Sequence, residues 1–197
     1  MKNLVNYSVF LILSFFLFSC ASMGNLAKLG VNFIEGSDLY YQVKQESNEY
    51  PFTLNMNHFT ESTISFDWEL DNNRSNGAVF MSEEALNSAT DLMNYFIGGY
   101  SELDDKTSVW VSKKVFNDIK EGKKVKIGLD GGNYDIFSLF GKDQYAFKNK
   151  KADQKITIPI LILKGENNNQ IWIADDFDNR LIVRMDVGFE IHLIAFE

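Results

Sequence analysis

Cysteine, histidine and proline are scarce in this chain, and each scarcity removes a class of structure or chemistry. One cysteine, Cys20, occurs in 197 residues, so no disulfide can form within the chain. Histidine, the usual proton shuttle and a common zinc ligand, occurs only at His58 and His192, without the spacing of a zinc motif. The two prolines suit regular strands better than extended linkers. We therefore predict no intrachain disulfide and no metal site.

Positive charge is also in short supply, which argues against nucleic acid as a partner. The chain has 19 Lys and Arg residues against 27 Asp and Glu, for a formal net charge of -8. Its nearest approach to a basic block is Lys148, Lys150 and Lys151, which we interpret as a solvated turn. Because an acidic protein repels phosphate groups, we predict no nucleic-acid binding.

The first residues have the pattern of a targeting signal. Lys2 gives a short positive start, and residues 4–18 form an apolar stretch interrupted by Asn6, Ser8 and Ser14. Such a stretch is too short and too broken to cross a hydrocarbon core of ~30 Å as a permanent helix. A positive start followed by a short apolar run is typical of a secretory signal peptide.

Leu17-Phe18-Ser19-Cys20 resembles the lipobox of bacterial lipoproteins, with Leu three residues before the cysteine and a small residue directly before it. The resemblance implies that residues 1–19 are a signal peptide, cut between Ser19 and Cys20, and that Cys20 carries the lipid. Residues 20–36 are then a lipidated tether to the membrane. No acidic residue occurs within residues 21–25, which in such lipoproteins implies anchoring in the outer membrane, facing the periplasm.

From residue 37 onward the pattern predicts β-structure. Aromatic residues make up 14% of the chain, and such side chains suit pleated, half-buried surfaces. Apolar and polar residues alternate within 52–57, 64–70 and 125–129, as in strands with one buried face. Residues 156–163 are apolar at both parities, which predicts a strand buried on both faces. Further strands are predicted at 78–81, 109–111, 134–140, 144–148, 170–174, 180–187 and 189–196.

Two helices are predicted within this β-rich chain. Ser82 is the expected N-cap of a helix that ends at Gly98-Gly99, with an apolar stripe of Leu86, Ala89, Met93 and Phe96. Ser112 is the expected N-cap of a shorter helix that ends at Gly122. We therefore predict one α+β domain over residues 37–197, with a mostly antiparallel sheet that is curled or forms a sandwich. Both helices pack on one side of it, and the C-terminal strands form a meander.

One carboxylate is a weak candidate for catalysis. Asp130-Gly131-Gly132 follows an alternating strand and is similar to the Asp-Thr/Ser-Gly loop of aspartic proteases. The hydroxyl residue of that loop is replaced by Gly131, and the chain has no second copy of the motif to supply the paired carboxylate. An Asp-Gly turn between two strands is the favoured interpretation.

A cluster of acids near the C-terminus is a weak candidate for calcium. Asp175, Asp176 and Asp178 stand in one predicted turn, and Ca²⁺ is bound by oxygen ligands. The turn lacks the glycine and the distal glutamate of an EF-hand loop, and Asp-rich turns are common without metal. We favour an ordinary turn here.

No enzymatic motif is complete, so we favour a protein that binds rather than reacts. The chain lacks the G-x-S-x-G motif of serine hydrolases and the glycine motifs that bind nucleotides, and no cofactor is predicted. The favoured hypothesis is a membrane-tethered, non-enzymatic binding or assembly module for a protein, glycan or lipid of the bacterial envelope. The alternatives are a carboxylate-dependent hydrolase that uses Asp130 and a passive structural lipoprotein.

Overall fold

The computed structural model describes residues 36–72, 74–130 and 132–197. The predicted signal peptide, Ser19, Cys20 and the predicted tether up to residue 35 lie outside the described residues. Gly131 of the predicted Asp-Gly turn lies outside them as well.

The described residues form thirteen strands and two helices. The first seven strands are β1 (Asp38–Gln45), β2 (Asn48–Phe59), β3 (Ile64–Leu70), β4 (Ser75–Met81), β5 (Asp91–Leu92), β6 (Gly99–Leu103) and β7 (Lys106–Thr107). The others are β8 (Val125–Leu129), β9 (Tyr134–Asn149), β10 (Gln154–Gly165), β11 (Gln170–Ala174), β12 (Ile182–Asp186) and β13 (Glu190–Phe196). The helices are α1 (Glu83–Ser88) and α2 (Lys113–Lys120).

All thirteen strands belong to one mixed sheet. Its order is β6-β4-β3-β2-β1-β13-β12-β11-β10-β9-β8-β5-β7, and β13 also pairs with β9. Most pairs are antiparallel, whereas the pairs β4–β6, β5–β7, β5–β8 and β13–β9 are parallel. The prediction of a mostly β chain with two helices is therefore confirmed.

The N-terminal strands bury one face each, as their alternation predicts. Along β2 the side chains of Phe52, Leu54 and Met56 are buried, and along β3 those of Ile64, Phe66 and Trp68. The polar residues between them point to the opposite face. Together with β1 and β4, these strands supply one wall of the main core.

The C-terminal strands form a ring because β13 pairs with both β12 and the end of β9. Ala195 and Phe196 lie opposite Lys148 and Asn149, which closes the path β9-β10-β11-β12-β13-β9. The ring gives β10 two covered faces, and Ile160 and Leu161, which are neighbours in sequence, are both buried. The prediction that residues 156–163 are buried at both parities holds only at this point of β10: Thr157 and Pro159 before it are exposed, and Ile162 after it is half-buried. The strands predicted at 134–140 and 144–148 are one strand, β9, with a bulge opposite Ile162/Leu163.

The prediction for the first helix was wrong in its length. Ser82 caps α1 as expected, since its hydroxyl accepts a hydrogen bond from the Ala85 N–H, but the helix ends at Ser88. The next residues form β5, which pairs with β7 and β8. Leu92 is buried there, and Phe96 packs 4.6 Å from Phe52, between ring centroids. Tertiary pairing therefore overrides the helical spacing of the apolar residues.

The second helix is confirmed, and one short strand is not. Ser112 caps α2, its hydroxyl accepting from the Val115 N–H, and Gly122 follows the helix with a φ of 78°. Val109 has a φ of 62°, which is incompatible with an extended strand, so only an isolated bridge between Trp110 and Leu181 forms where a strand was predicted at 109–111.

Candidate binding cleft

A polar trough of about 620 Å³ lies on the outer face of the N-terminal strands. One row of residues in register crosses five strands there: Asp38, Asn55, Asp67, Ala78 and Tyr100. The trough is shallow and open, and its polar groups are solvated. We therefore consider a smaller, more enclosed and more apolar cleft the better candidate for a binding site.

That cleft, of about 310 Å³, lies at the opposite end of β1. It is bounded by β1, β2, β3, the end of β8, the start of β13 and residues 94–96. Its apolar wall consists of Val43, Phe52, Leu70, Phe96, Phe189 and Ile191. The polar residues of the lining are Gln45, Tyr50, Asn94, Tyr95 and Asp130. An apolar wall with a few polar groups is typical of small-molecule sites.

Residues 93–97, here called the rim segment, form one side of the cleft without regular secondary structure. The Met93 N–H donates to the Thr107 carbonyl oxygen at 2.7 Å. Phe96 points inward, with its ring 5.2 Å from that of Trp68 in an edge-on arrangement. The side chains on either side of it point outward, and Tyr95 and Ile97 are 71% and 70% exposed. The rim segment thus offers two large apolar side chains to solvent.

Asp130, the candidate carboxylate, lies in the cleft and holds the rim segment. Both of its carboxylate oxygens accept from the Asn94 N–H, at 2.9 and 3.1 Å. Asp130 follows β8 with a φ of 55°, and its carbonyl oxygen accepts from the Asn133 N–H at 3.0 Å. It therefore occupies a turn between β8 and β9, as the favoured interpretation has it. Its carboxylate binds a backbone 36 residues away, which the sequence could not reveal.

Asn94 is a cleft residue that the sequence analysis missed. Its side-chain Nδ2 is buried and has no hydrogen-bond partner among the described residues. Two other buried side-chain nitrogens share this property, on Asn179 and Arg184, but neither residue lines the cleft. Asn94 also borders a void of about 20 Å³ behind Phe96 and Phe189. A buried donor without an acceptor is costly, so a water or ligand oxygen there would be stabilising.

The hydroxyl of Tyr50 gives the cleft a second polar group, and it stays protonated. Burial raises the pKa of this tyrosine, and the negative charge of Asp71 raises it further. The hydroxyl donates to the side-chain oxygen of Gln45 at 3.2 Å. Tyr50 therefore contributes a neutral hydroxyl at the mouth of the cleft.

In the acidic turn at residues 175–178, the carboxylates of Asp175 and Asp176 bind groups of the protein itself. Asp175 pairs with Lys120 at 2.6 Å and with Lys142 at 3.5 Å. An oxygen of Asp176 accepts from the N–H of Asp178 at 2.8 Å, in an ordinary turn bond. No group of three or more possible metal ligands occurs in residues 36–72, 74–130 and 132–197.

Asp176 and Asp178 also lie beside a buried arginine. Arg180 is 3% exposed, and its side chain donates to the carbonyl oxygens of Val111 and Phe177. Burial lowers the pKa of Arg180 to about 10, against the opposing charges of Asp178, Asp176 and Glu61. The acids of this turn thus balance a buried cation.

One of the two histidines belongs to a charged cluster, away from the cleft. His192 lies 2.9 Å from Glu190, between Nε2 and Oε2, and Arg184 lies 3.4 Å from the same oxygen. The hydrogen bond to His192 lowers the pKa of Glu190, and the charges of His192, Arg184 and Lys44 act in the same direction. The three side chains thus lie together on the paired strands β12 and β13.

Neither α1 nor α2, the helices of the described part of the chain, is long and apolar enough to span a membrane. No family model matches the chain, and neither a curated protein nor a solved structure matches it at a significant level.

Proposed function

We propose that this protein is a lipoprotein of the bacterial envelope that binds a ligand or partner in the cleft beside the rim segment, without catalysing a reaction. The lipobox-like sequence at Leu17 to Cys20 supports the anchor. In this proposal residues 1–19 are removed, Cys20 carries the lipid, and residues 37–197 form the single domain, held at the outer membrane on the periplasmic side.

The cleft itself carries the proposal for binding. Its wall is apolar, its rim presents Tyr95 and Ile97, and it contains a buried donor without a partner, Asn94 Nδ2. The one carboxylate that the described residues contribute to its lining, Asp130, accepts a hydrogen bond from the Asn94 N–H through both oxygens. A carboxylate committed to holding the backbone is poorly placed to transfer protons to a substrate, which favours the binding module over the hydrolase.

The finer architecture is part of the same proposal. We interpret the sheet as curled, with the two helices on one side and β10 to β13 as a C-terminal meander. The successive antiparallel pairs β10–β11, β11–β12 and β12–β13 support this interpretation.

The anchor is tested by the variant Cys20→Ser. If Cys20 is the lipidated residue, wild-type cells fed labelled fatty acid incorporate the label and the variant does not. Retention of the unprocessed signal peptide in the variant, seen as a larger mass, is expected alongside. Continued labelling of Cys20→Ser would show that the lipid is elsewhere or absent.

The cleft is tested by photocrosslinking in cells with the full-length, lipidated protein. A photoreactive phenylalanine analogue replaces Tyr95 at the rim, and in a matched control it replaces Phe140, which is 69% exposed on β9. We expect an adduct from position 95 that is absent from position 140. The mass of the adduct distinguishes a protein partner from a small ligand.

A second pair of variants tests whether the adduct forms in the cleft. Gln45→Trp places a large side chain at the mouth of the cleft, whereas Lys44→Trp places the same side chain on the other face of β1. Loss of the adduct with Gln45→Trp alone supports binding in the cleft. If position 95 captures nothing in a correctly lipidated protein, the passive structural lipoprotein becomes the better account.

A further inference from the structure

The strongest feature beyond the proposed function is the chemistry of the cleft, which narrows the class of ligand. The wall contributed by β1, β2, β3 and β13 is apolar over Val43, Phe52, Leu70, Phe189 and Ile191. Gln45 and Tyr50 of the same strands lie at its mouth. Phe96 closes the inner side, packed between Phe52 and Trp68 at 4.6 and 5.2 Å. A flexible hydrocarbon chain fits such a wall because it gains from leaving water and needs no hydrogen bonds.

The charges of the lining exclude an anionic ligand. Among the described residues, the lining contains no lysine or arginine, and its one charged residue is the acid Asp130. A fatty acid carboxylate in this cleft would lose its hydration, meet a like charge and find no cation. The ligand that fits is therefore uncharged where it enters the cleft.

Asn94 shows where the polar end of that ligand binds. Its Nδ2 has almost no accessible surface, and no described residue accepts its hydrogen bond. Asn94 lines the cleft, so a turn of its side chain presents this donor to a bound ligand. A carbonyl or hydroxyl oxygen next to the hydrocarbon chain supplies the missing acceptor. An ester of a fatty acid carries such an oxygen directly at the end of its chain.

A shallow polar ledge continues from the cleft and is suited to an uncharged headgroup. It shares Tyr50 and Leu70 with the cleft and is otherwise formed by Asn48, Glu49, Asp71, Arg74 and Ser75. Arg74 is paired with Asp71 at 2.9 Å, so its cation is already balanced. A polyol headgroup can bind hydroxyl and amide groups there without adding a charge.

We propose that the cleft binds the acyl chain of a neutral monoacyl lipid, with the ester carbonyl accepting a hydrogen bond from Asn94 Nδ2 and the headgroup on the ledge. This inference rests on the proposed function, because it names the ligand class of the same cleft. The choice of a neutral ester over a fatty acid follows from the charges, and the choice over an apolar peptide follows from the lone buried donor. A peptide backbone would bring a row of its own donors, and the side chains of Val43, Phe52, Leu70, Phe189 and Ile191 offer them no acceptors.

The test uses the full-length, lipidated protein in nanodiscs of phosphatidylethanolamine and a monoacylglycerol with a photoreactive diazirine in its chain. The matched arm uses a fatty acid with the same chain. We expect the neutral probe to label the rim segment or the start of β13, to be displaced by unlabelled monoacylglycerol, and to label at several-fold lower concentration than the fatty acid. Equal or better labelling by the fatty acid would overturn the proposal.

Variants of Asn94 test the proposed hydrogen bond from its Nδ2 to the ester carbonyl. Asn94→Leu keeps the volume and removes the donor, so the concentration for half-maximal labelling should rise roughly five-fold. Asn94→Asp, which has the same shape and also lacks the donor when ionised, replaces it if Asn94→Leu melts early. Asn76→Leu makes the same change in the polar trough and should leave labelling unaltered. An unchanged half-maximal concentration in a folded Asn94 variant would contradict the assigned contact.

The lipid class and the binding function can fail separately. If position 95 captures a protein in cells, and neither lipid probe labels the cleft, the ligand class is wrong and the binding module stands. If position 95 captures nothing and the probes do not label, both proposals fail.

Discussion

The N-terminal strands and the C-terminal ring bury their side chains in different ways, although both belong to one sheet. In β2 the buried residues alternate strictly with polar ones, as in Phe52, Leu54 and Met56. In the ring, adjacent residues are both buried at some positions, as at Ile160 and Leu161 of β10, which are 3% and 0% exposed. The difference follows from the pairing of β13 with β9, which gives the ring an interior of its own.

That interior is visible in the aromatic contacts of the ring. Phe147 lies 6.4 Å from Tyr145 and 5.9 Å from Phe196, between ring centroids. The Tyr145 hydroxyl of β9 donates to the Leu193 carbonyl oxygen of the adjacent β13 at 2.9 Å. An open sheet needs only one apolar face, whereas a closed one that also packs on a core needs two. The comparison shows that the pattern of buried positions along a strand depends on how the neighbouring strands are arranged.

The largest effect is expected from substitutions at adjacent positions in the two regions. In β10, Ile160→Ala and Leu161→Ala should each lower the free energy of unfolding by roughly 2–5 kcal/mol, because both side chains are buried. In β2, Leu54→Ala should cost the same, but its neighbour Thr53→Ala only about 0.5 kcal/mol. Denaturant unfolding of the four variants measures this. A small effect at either Ile160 or Leu161 would mean that one face of β10 is open.

A smaller effect is expected from adding one methyl group at a glycine. A Cβ on Gly77 would overlap the Gly99 carbonyl oxygen and lie 2.9 Å from Trp68 Cζ2, so Gly77→Ala should cost about 1–3 kcal/mol and loosen β6. Gly141 in the ring has no atom within 4 Å of the same position, and Gly141→Ala is the matched control. Thermal unfolding compares the two, and similar melting temperatures would contradict the close β4–β6 contact.

Alkaline pH should destabilise both regions, because each contains a tyrosine whose pKa is raised by burial. Burial raises the pKa of Tyr145 to about 12 and that of Tyr41 well above its usual value. In the unfolded chain both ionise near pH 10. The contribution of these tyrosines to stability is therefore complete below pH 10 and is lost as the pH rises above 10, for Tyr145 up to about 12, because the unfolded state releases protons that the folded state retains.

Phenylalanine variants test this assignment. Tyr145→Phe and Tyr41→Phe should each cost about 1 kcal/mol at pH 7, because each loses one hydrogen bond to a carbonyl oxygen. Each should also make the loss of stability between pH 10 and 12 shallower. The exposed Tyr134, changed to Phe, serves as the control in the same series. Unfolding curves with an unchanged pH slope would show that these hydroxyls are accessible to water.

The smallest effect is expected at the cleft between the two regions. Asp130→Asn keeps the shape and one acceptor oxygen for the Asn94 N–H, so stability should fall by no more than about 1 kcal/mol. Crosslinking from position 95 should persist, because the rim segment stays in place. Loss of a cellular phenotype in a folded, lipidated Asp130→Asn protein would instead indicate a titrating carboxylate and favour the hydrolase.

The local elements of this fold were predictable where one physical signal dominated. The alternation in β3 placed Ile64, Phe66 and Trp68 in the core, and Ser112 marked the start of α2. The prediction of a long first helix was wrong because Met93 and Phe96, which have helical spacing, belong to the rim segment. Helical spacing cannot show that Thr107 and Asp130 will bind the backbone there.

By itself the sequence determined the β-rich class, the alternating faces of the N-terminal strands, both helix starts and the turn at Asp130. These depend on residues close together in the chain, whose side-chain periodicity and capping act locally. Only the tertiary structure decided the ring closure through Ala195 and Phe196, the cleft, and the buried amide of Asn94. These join residues distant in sequence, and their positions depend on how the whole sheet packs and closes.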